Sequence, residues 1–128
     1  MPELGPLELP GLQVTVEKVV HHRSPDFPSE TPHAFVYFLC ITNLSDRVVK
    51  LMGRKWILKS ANGSTEVIEG DGITGQTPQL APGELFRYNS YHLTNEPLRA
   101  SGAFHGTDDK GQSVFVRIPE FTMEPPVS

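Results

Sequence analysis

Gly70-Asp71-Gly72-Ile73-Thr74-Gly75, continuing as Gln76-Thr77-Pro78-Gln79-Leu80-Ala81-Pro82-Gly83, is the stretch on which the fold class turns. Its first six residues match G-x-G-x-x-G. In a dinucleotide-binding βαβ unit such a run ends a strand and opens a helix. The amides and dipole of that helix N-terminus then hold a pyrophosphate. A strand-like segment does come first, Thr65-Glu66-Val67-Ile68-Glu69. A helix cannot follow, because Pro78, Pro82 and Gly83 leave no room for one. The Rossmann reading falls, since no βαβ unit is present to support it. The glycines keep their flexibility. They can supply φ > 0 in a tight loop at a sheet edge. They can also expose consecutive N–H groups as an anion-binding nest. Gly70, Gly72, Thr74 and Gly75 are therefore the candidate phosphate-binding residues, with Asp71 repelling an anion unless it points away.

The same punctuation runs through the whole chain. Its 12 Pro and 11 Gly fall every few residues, so no long stretch is free to form a helix. Between them lie segments with period-two alternation. Leu12, Val14, Val16 and Val20 fall on one face, with Gln13, Thr15, Glu17 and His21 mostly on the other, the mark of a half-buried strand. Residues 22–32 hold Pro25, Pro28 and Pro32 and read as a surface loop. Phe35 to Ile41 is apolar on both faces and should be a central strand. Asn43-Leu44-Ser45-Asp46 supplies turn chemistry. Val48 to Met52 and Lys55 to Lys59 read as one strand interrupted at Gly53, a bulge or a change of sheet.

Asn62-Gly63 suits a type I′ hairpin joining that strand to Thr65–Glu69. Ala81-Pro82-Gly83-Glu84 is a turn, and Leu85 to Tyr91 a further strand. Ala100 to His105 and Ser113 to Ile118 pair across Asp108-Asp109-Lys110-Gly111, and Pro119, Pro125 and Pro126 make the tail extended. The sum is about seven or eight short strands with regular turns, the pattern of an all-β sandwich or barrel. An immunoglobulin-like, two-sheet antiparallel sandwich suits the length best. With Cys40 the only cysteine, no disulfide can cross it, so Trp56 and other aromatics must fill the centre. Cys40 itself reads as a small buried residue.

A length of 128 residues makes one domain the expectation, with a core of about 12–123 and extended tails at 1–11 and 124–128. Such a chain buries roughly two-thirds of its unfolded surface, enough for its own core. The net charge of −4 argues against sequence-independent nucleic-acid binding and against attraction to anionic lipid. The N-terminus lacks the basic and apolar segments of a secretory signal, and no apolar run approaches the roughly 18 residues of a membrane span. These point to a cytoplasmic protein.

Chemistry is sparse. His21, His22, His33, His92 and His105 include no pair at helical metal spacing, and neither H-E-x-x-H nor C-x-x-C occurs. Adjacent His21 and His22 point to opposite strand faces and cannot share an ion. Asp108 and Asp109 suit turn hydrogen bonding. Glu66, Glu69 and Asp71 make the neighbourhood of the glycine run acidic, without calcium-loop spacing. No G-x-S-x-G marks a nucleophile. No catalytic residue, metal or cofactor is expected.

Several of these pieces together resemble the ApaG family of small bacterial proteins. They are Ile41-Thr42-Asn43-Leu44-Ser45-Asp46-Arg47, Leu51-Met52-Gly53-Arg54-Lys55-Trp56-Ile57-Leu58, Ala61-Asn62-Gly63 and Val67 to Gly75. Gln76 to Glu84, Phe86-Arg87-Tyr88-Asn89-Ser90 and Ile118 to Met123 continue the likeness. The resemblance implies a fibronectin-III-like, immunoglobulin-type sandwich with the glycine run in a loop, for which pyrophosphate or nucleotide phosphate has been suggested as ligand. It implies no established enzymatic activity, an association with cobalt resistance and magnesium efflux, and protein recognition by similar eukaryotic domains. The chain departs from the pattern at Lys55, where the family commonly has His, and over Leu98 to Phe104, where one glycine and an aromatic remain of a glycine-rich motif.

The first functional expectation is a non-catalytic module for protein recognition, monomeric or weakly dimeric through a sheet edge. The alternative is a phosphate or pyrophosphate binder using Gly70 to Gly75. A phosphohydrolase ranks last.

Overall fold

The computed structural model describes residues 5–29 and 31–126. Nine strands and no helix occur among them. They are β1 (Leu7–Glu8), β2 (Leu12–Arg23), β3 (His33–Asn43), β4 (Val49–Ser60), β5 (Thr65–Asp71), β6 (Gln79–Leu80), β7 (Leu85–Thr94), β8 (Leu98–Asp108) and β9 (Ser113–Met123). One sheet runs β1-β9-β8-β4-β5, with β6 also on β4; the other runs β2-β3-β7. The two face each other across the core as an antiparallel sandwich of the immunoglobulin type, apart from the parallel β1–β9 pair. The two-residue strands β1 and β6 carry the count past the expected seven or eight.

The first of these strands also revises the core boundary. Residues expected in the N-terminal tail join the sheet, and Leu9 is buried, so the core begins before Leu12. The ends of both tails, residues 1–4 and 127–128, lie outside the described residues, as does residue 30 in the 22–32 loop. At the other end β9 continues through Pro119 to Met123, which is fully buried.

Three bulges set which side chains face inward. In β2, Val16 pairs with Leu39 but Lys18 with Phe38, so Glu17 is the extra residue. The alternation therefore changes phase. Val19 packs on the core in the place expected for Val20. Val20 and Val36 pair on the opposite face. In β4 the expected break at Gly53 is a bulge and not a change of sheet. Leu51 pairs with Gly106 and Gly53 with His105, with Met52 extra. Val49 and Leu51 face inward before it, Trp56 and Leu58 after it. In β9 the ladder passes from Ile118 to Phe121, absorbing Pro119, whose missing N–H a bulge tolerates.

The Asn62-Gly63 hairpin differs in type from expectation. Gly63 has φ +89°, while Asn62 has negative φ. Gly63 N–H donates to Ser60 C=O and Ser60 N–H to Ser64 C=O, at 3.1 and 3.0 Å. This is a three-residue loop whose glycine closes a bulge, not a type I′ turn. Its asparagine is used through its side chain, as Oδ1 accepts from Ser64 N–H at 2.9 Å. The Asp108–Gln112 turn closes by the same pair of backbone bonds.

Trp56 is buried at the centre, 4.9 Å from the Tyr37 ring of the opposite sheet and edge-on to Phe104 and Phe121. Cys40 is buried as expected, but on the β3 face turned away from the core. Asn43 is buried and fully bonded. Its Nδ2 donates to the carbonyls of Arg47 (2.7 Å) and Leu80 (2.9 Å), and its Oδ1 accepts from Ser45 N–H and Oγ. One side chain thus joins the turn after β3 to the strand β6. Asn43→Ala leaves two carbonyls and one amide without these partners. Urea unfolding should show a loss of about 3 kcal/mol with the m-value unchanged.

Candidate functional site

The glycine run lies beside β4, where β5 ends and β6 begins. Gly72 N–H donates to Met52 C=O (2.7 Å) at the β4 bulge, and Leu51 N–H to Pro78 C=O (2.9 Å). Ile73 and Gln76 exchange two backbone bonds, at 2.7 and 3.0 Å. Thr74 and Gly75 form the tip with φ +48° and +82°. This is the two-residue turn with positive φ at both central positions. A β-branched residue there is strained. Thr74 Oγ1 donates to Ile73 C=O at 2.8 Å.

The four candidate phosphate-binding residues thus have different roles. Gly70 belongs to β5 and does not have positive φ. Its missing side chain makes room for the Arg54 guanidinium, which would lie 2.6–2.8 Å from a Cβ there. The Gly72 amide is paired. At Thr74 and Gly75 no acceptor meets the N–H groups among the described residues. Arg54 Nη1 meanwhile donates to the carbonyls of Asp71 (2.7 Å) and Gly72 (3.1 Å). The loop offers Arg54 its carbonyls, and most of its amides already have backbone partners.

Behind the loop, a cleft of about 270 Å³ opens between the sheets. Its walls come from the loop (Ile73, Thr74), β4 (Arg54, Trp56) and strands β3 and β7 (Tyr37, Tyr88, Ser90, Tyr91, His92). The β4 bulge is what turns Arg54 and Trp56 to the inward face that Val49 and Leu51 hold before it. Two polar atoms in the wall are buried without a hydrogen-bond partner, Tyr88 Oη and His92 Nε2. Burial raises the Tyr88 phenol above its ordinary range, against the opposing pull of Arg54. Tyr37 is raised for the same reason, eased by Ser90 and Arg54. Burial holds the His92 imidazole down at about 4. At neutral pH the buried Tyr37 and Tyr88 phenols and the His92 imidazole of the wall are therefore neutral, beside the Arg54 guanidinium.

Of the histidines singled out in the sequence, only His92 lines this cleft. His21 turns inward after the β2 bulge and meets His33 across the strand pair, Nε2 to Nδ1 at 2.8 Å. His22 remains exposed, as its opposite facing predicts. Among the described residues no group of three metal-ligating side chains forms. Asp108 carries more than turn bonds. Its carboxyl sits below the usual range, held by the Gln112 and Lys110 amides and by Arg47 at 3.3 Å. Sequence reasoning missed Arg54, Tyr37 and Tyr88 as wall residues. For Arg54 alone the available signal was Gly53, because a bulge reverses the facing of the residues that follow it.

Two outcomes test this geometry. Thr74→Gly should raise the folding free energy by about 1 kcal/mol by relieving the positive φ. Gly72→Ala, whose Cβ would lie 2.7 Å from Gln76 O, should lower it by more than about 1 kcal/mol. Thermal melts of the two variants decide the point. His92 supplies a pH dependence. The unfolded chain takes up a proton as pH falls below 6.5, whereas folded His92 does so only near 4. The His92 contribution to stability should be complete above pH 6.5 and fall by about 3 kcal/mol toward pH 4. Urea titrations across that range should show a shallower decline in His92→Phe. His21, lowered by burial and by His33, keeps a residual slope of the same sign.

Residues 23–107 match the family model described as the ApaG domain. Protein ApaG of Bdellovibrio bacteriovorus is 34% identical over 121 residues, which cover 94% of this chain and 94% of that protein. The fold is similar to the X-ray structure of a Northeast Structural Genomics Consortium target, with a TM-score of 0.81 at 26% identity over 91% of this chain and 88% of that one. It is also similar to the crystal structure of a Bordetella pertussis protein given the name ApaA, with a TM-score of 0.73 at 28% identity, covering 96% and 100% of the two chains. The sequence departures leave the sandwich intact. Lys55 is exposed opposite Glu69, and Phe104 is fully buried in the core. The chain belongs to the ApaG domain family.

Proposed function

We propose that the chain is a non-catalytic binding module that recognises an extended protein segment along β7. The observation that carries this reading is one free edge of the smaller sheet, the one that bears exposed apolar side chains. Strand β7 pairs with β3 on one side, and among the described residues no strand pairs with its other side. Ten residues of unpaired edge are a template for one more strand. The side chains beside the edge suit recognition. Tyr91 is 60% exposed and Leu85 45% exposed, on the outer face. Tyr91 continues an apolar row through Val36 to Val20 across the sheet. Main-chain bonds would supply affinity, and the row would select alternate side chains of the partner. An exposed aromatic ring is the usual anchor of such a contact.

The phosphate alternative has less support, because the amides of Gly72, Ile73 and Gln76 already have partners. One experiment serves both readings. Peptides selected from a displayed library of extended sequences are titrated while backbone amide shifts are followed. Selected peptides should move the amides of Leu85 to Thr94. Tyr91→Ala should weaken them about tenfold or more with an unchanged melting temperature. Pyrophosphate should leave the Gly70 to Gly75 amides in place. Peptide shifts confined to another face, or a saturable pyrophosphate shift of the glycine run, would overturn the assignment.

A further inference from the structure

We propose that the cleft between the sheets beside Arg54 is a binding site for a small organic monocarboxylate with an apolar body. Three independent features of its wall converge on that chemistry. The first is charge. Arg54 lies on the inward phase of β4, and among the described residues no carboxylate approaches within 4.0 Å of it. Its Nη1 is used on two loop carbonyls, while Nε and Nη2 remain as donors. A guanidinium donor is the natural partner of a carboxylate.

The second feature is the pair of orphan polar atoms. Tyr88 Oη and His92 Nε2 are buried with no partner. A buried polar group left unbonded costs about 1–3 kcal/mol. A wall that carries two such atoms calls for an occupant that bonds them. Both side chains belong to the cleft wall, with Arg54 on the facing strand.

The third feature is the apolar remainder, made by Trp56, Ile68, Ile73 and the buried ring of Tyr37. A few polar anchors in a mostly apolar cleft are the ordinary construction of a small-molecule site. One cation matches one negative charge. The exposed Asp71 carboxylate, on the residue whose carbonyl Arg54 holds, disfavours a dianion such as a phosphate monoester.

Trp56 is the only tryptophan and lines the cleft, so its fluorescence reports occupancy directly. The full chain at neutral pH is titrated with hydrocinnamate, hydrocinnamide and phenyl phosphate, with amide shifts recorded in parallel. Hydrocinnamate should change the Trp56 emission saturably at millimolar concentration and shift the amides of Arg54, Tyr88 and His92. The neutral amide and the phosphate should each bind about tenfold more weakly. Arg54→Gln should abolish the response. Tyr88→Phe removes a hydroxyl that bonds nothing in the protein. It should weaken hydrocinnamate several-fold while leaving the melting temperature equal or higher, a combination that a merely structural role does not produce. Because Arg54 also holds the glycine loop, Tyr88→Phe decides the question if Arg54→Gln does not fold. Absence of any saturable response, equal binding of the neutral amide, tighter binding of the phosphate, or a lower melting temperature for Tyr88→Phe would each overturn the assignment.

Discussion

The two sheets of this sandwich are held together by side chains alone. Cys40 is the only cysteine, so no disulfide crosses the core, and β-ladders run only within each sheet. The contact that replaces a cross-link is Trp56 of β4 against Tyr37 of β3, with Phe104, Phe121 and His92 closing around the indole. Large aromatic rings bury the most surface per residue, and tilted or edge-on geometry adds to that burial. Tyr88 stacks on Phe86 and meets Phe104 edge-on, which extends the cluster along β7. This packing has a polar consequence. It carries the Tyr88 hydroxyl and the His92 ring nitrogen into the interior, on residues that line the cleft. The interaction that closes the sandwich also furnishes the wall of its cleft.

The bulges do the rest of the positioning. Each inserts one residue in a strand and so reverses the facing of every residue beyond it. Without the extra Met52, Arg54 and Trp56 would exchange faces with their neighbours. Glu17 does the same for His21, and the irregularity at Pro119 does it for Phe121 and Met123. The β4 bulge has a second use. Its free carbonyl at Met52 takes the Gly72 amide, which docks the glycine loop beside Arg54. The loop and the cation thus share one cause, a single irregularity in the longest strand of the larger sheet.

Much of this architecture is written locally. Pro and Gly spacing excludes helices, period-two patterning marks the main strands, and Asn43, Pro82 and Asp108 mark their turns because their chemistry acts over a few residues. The short strands β1 and β6 leave no such mark. Two residues carry no period, and their pairing comes from partners far along the chain. The hairpin at Asn62 was legible as a turn but not in type, because the loop closes through the Ser60–Ser64 bonds and needs positive φ at Gly63 alone. Thr74 shows the opposite case. Nothing local favours a β-branched residue at positive φ, and only the surrounding ladder holds it there.

By itself, then, the sequence determined the all-β class, the main strand order and the family, since these rest on short-range backbone preference and on motifs read in line. Only the tertiary structure decided the cleft. Tyr37, Arg54, Tyr88 and His92 lie on three different strands, and none carries a signal that names the others. Their meeting depends on strand pairing across long separations and on bulges that invert facing. Both are settled by packing and not by local pattern. The glycine run, conspicuous in the sequence, proves to be the loop that Arg54 clasps at the margin of that cleft.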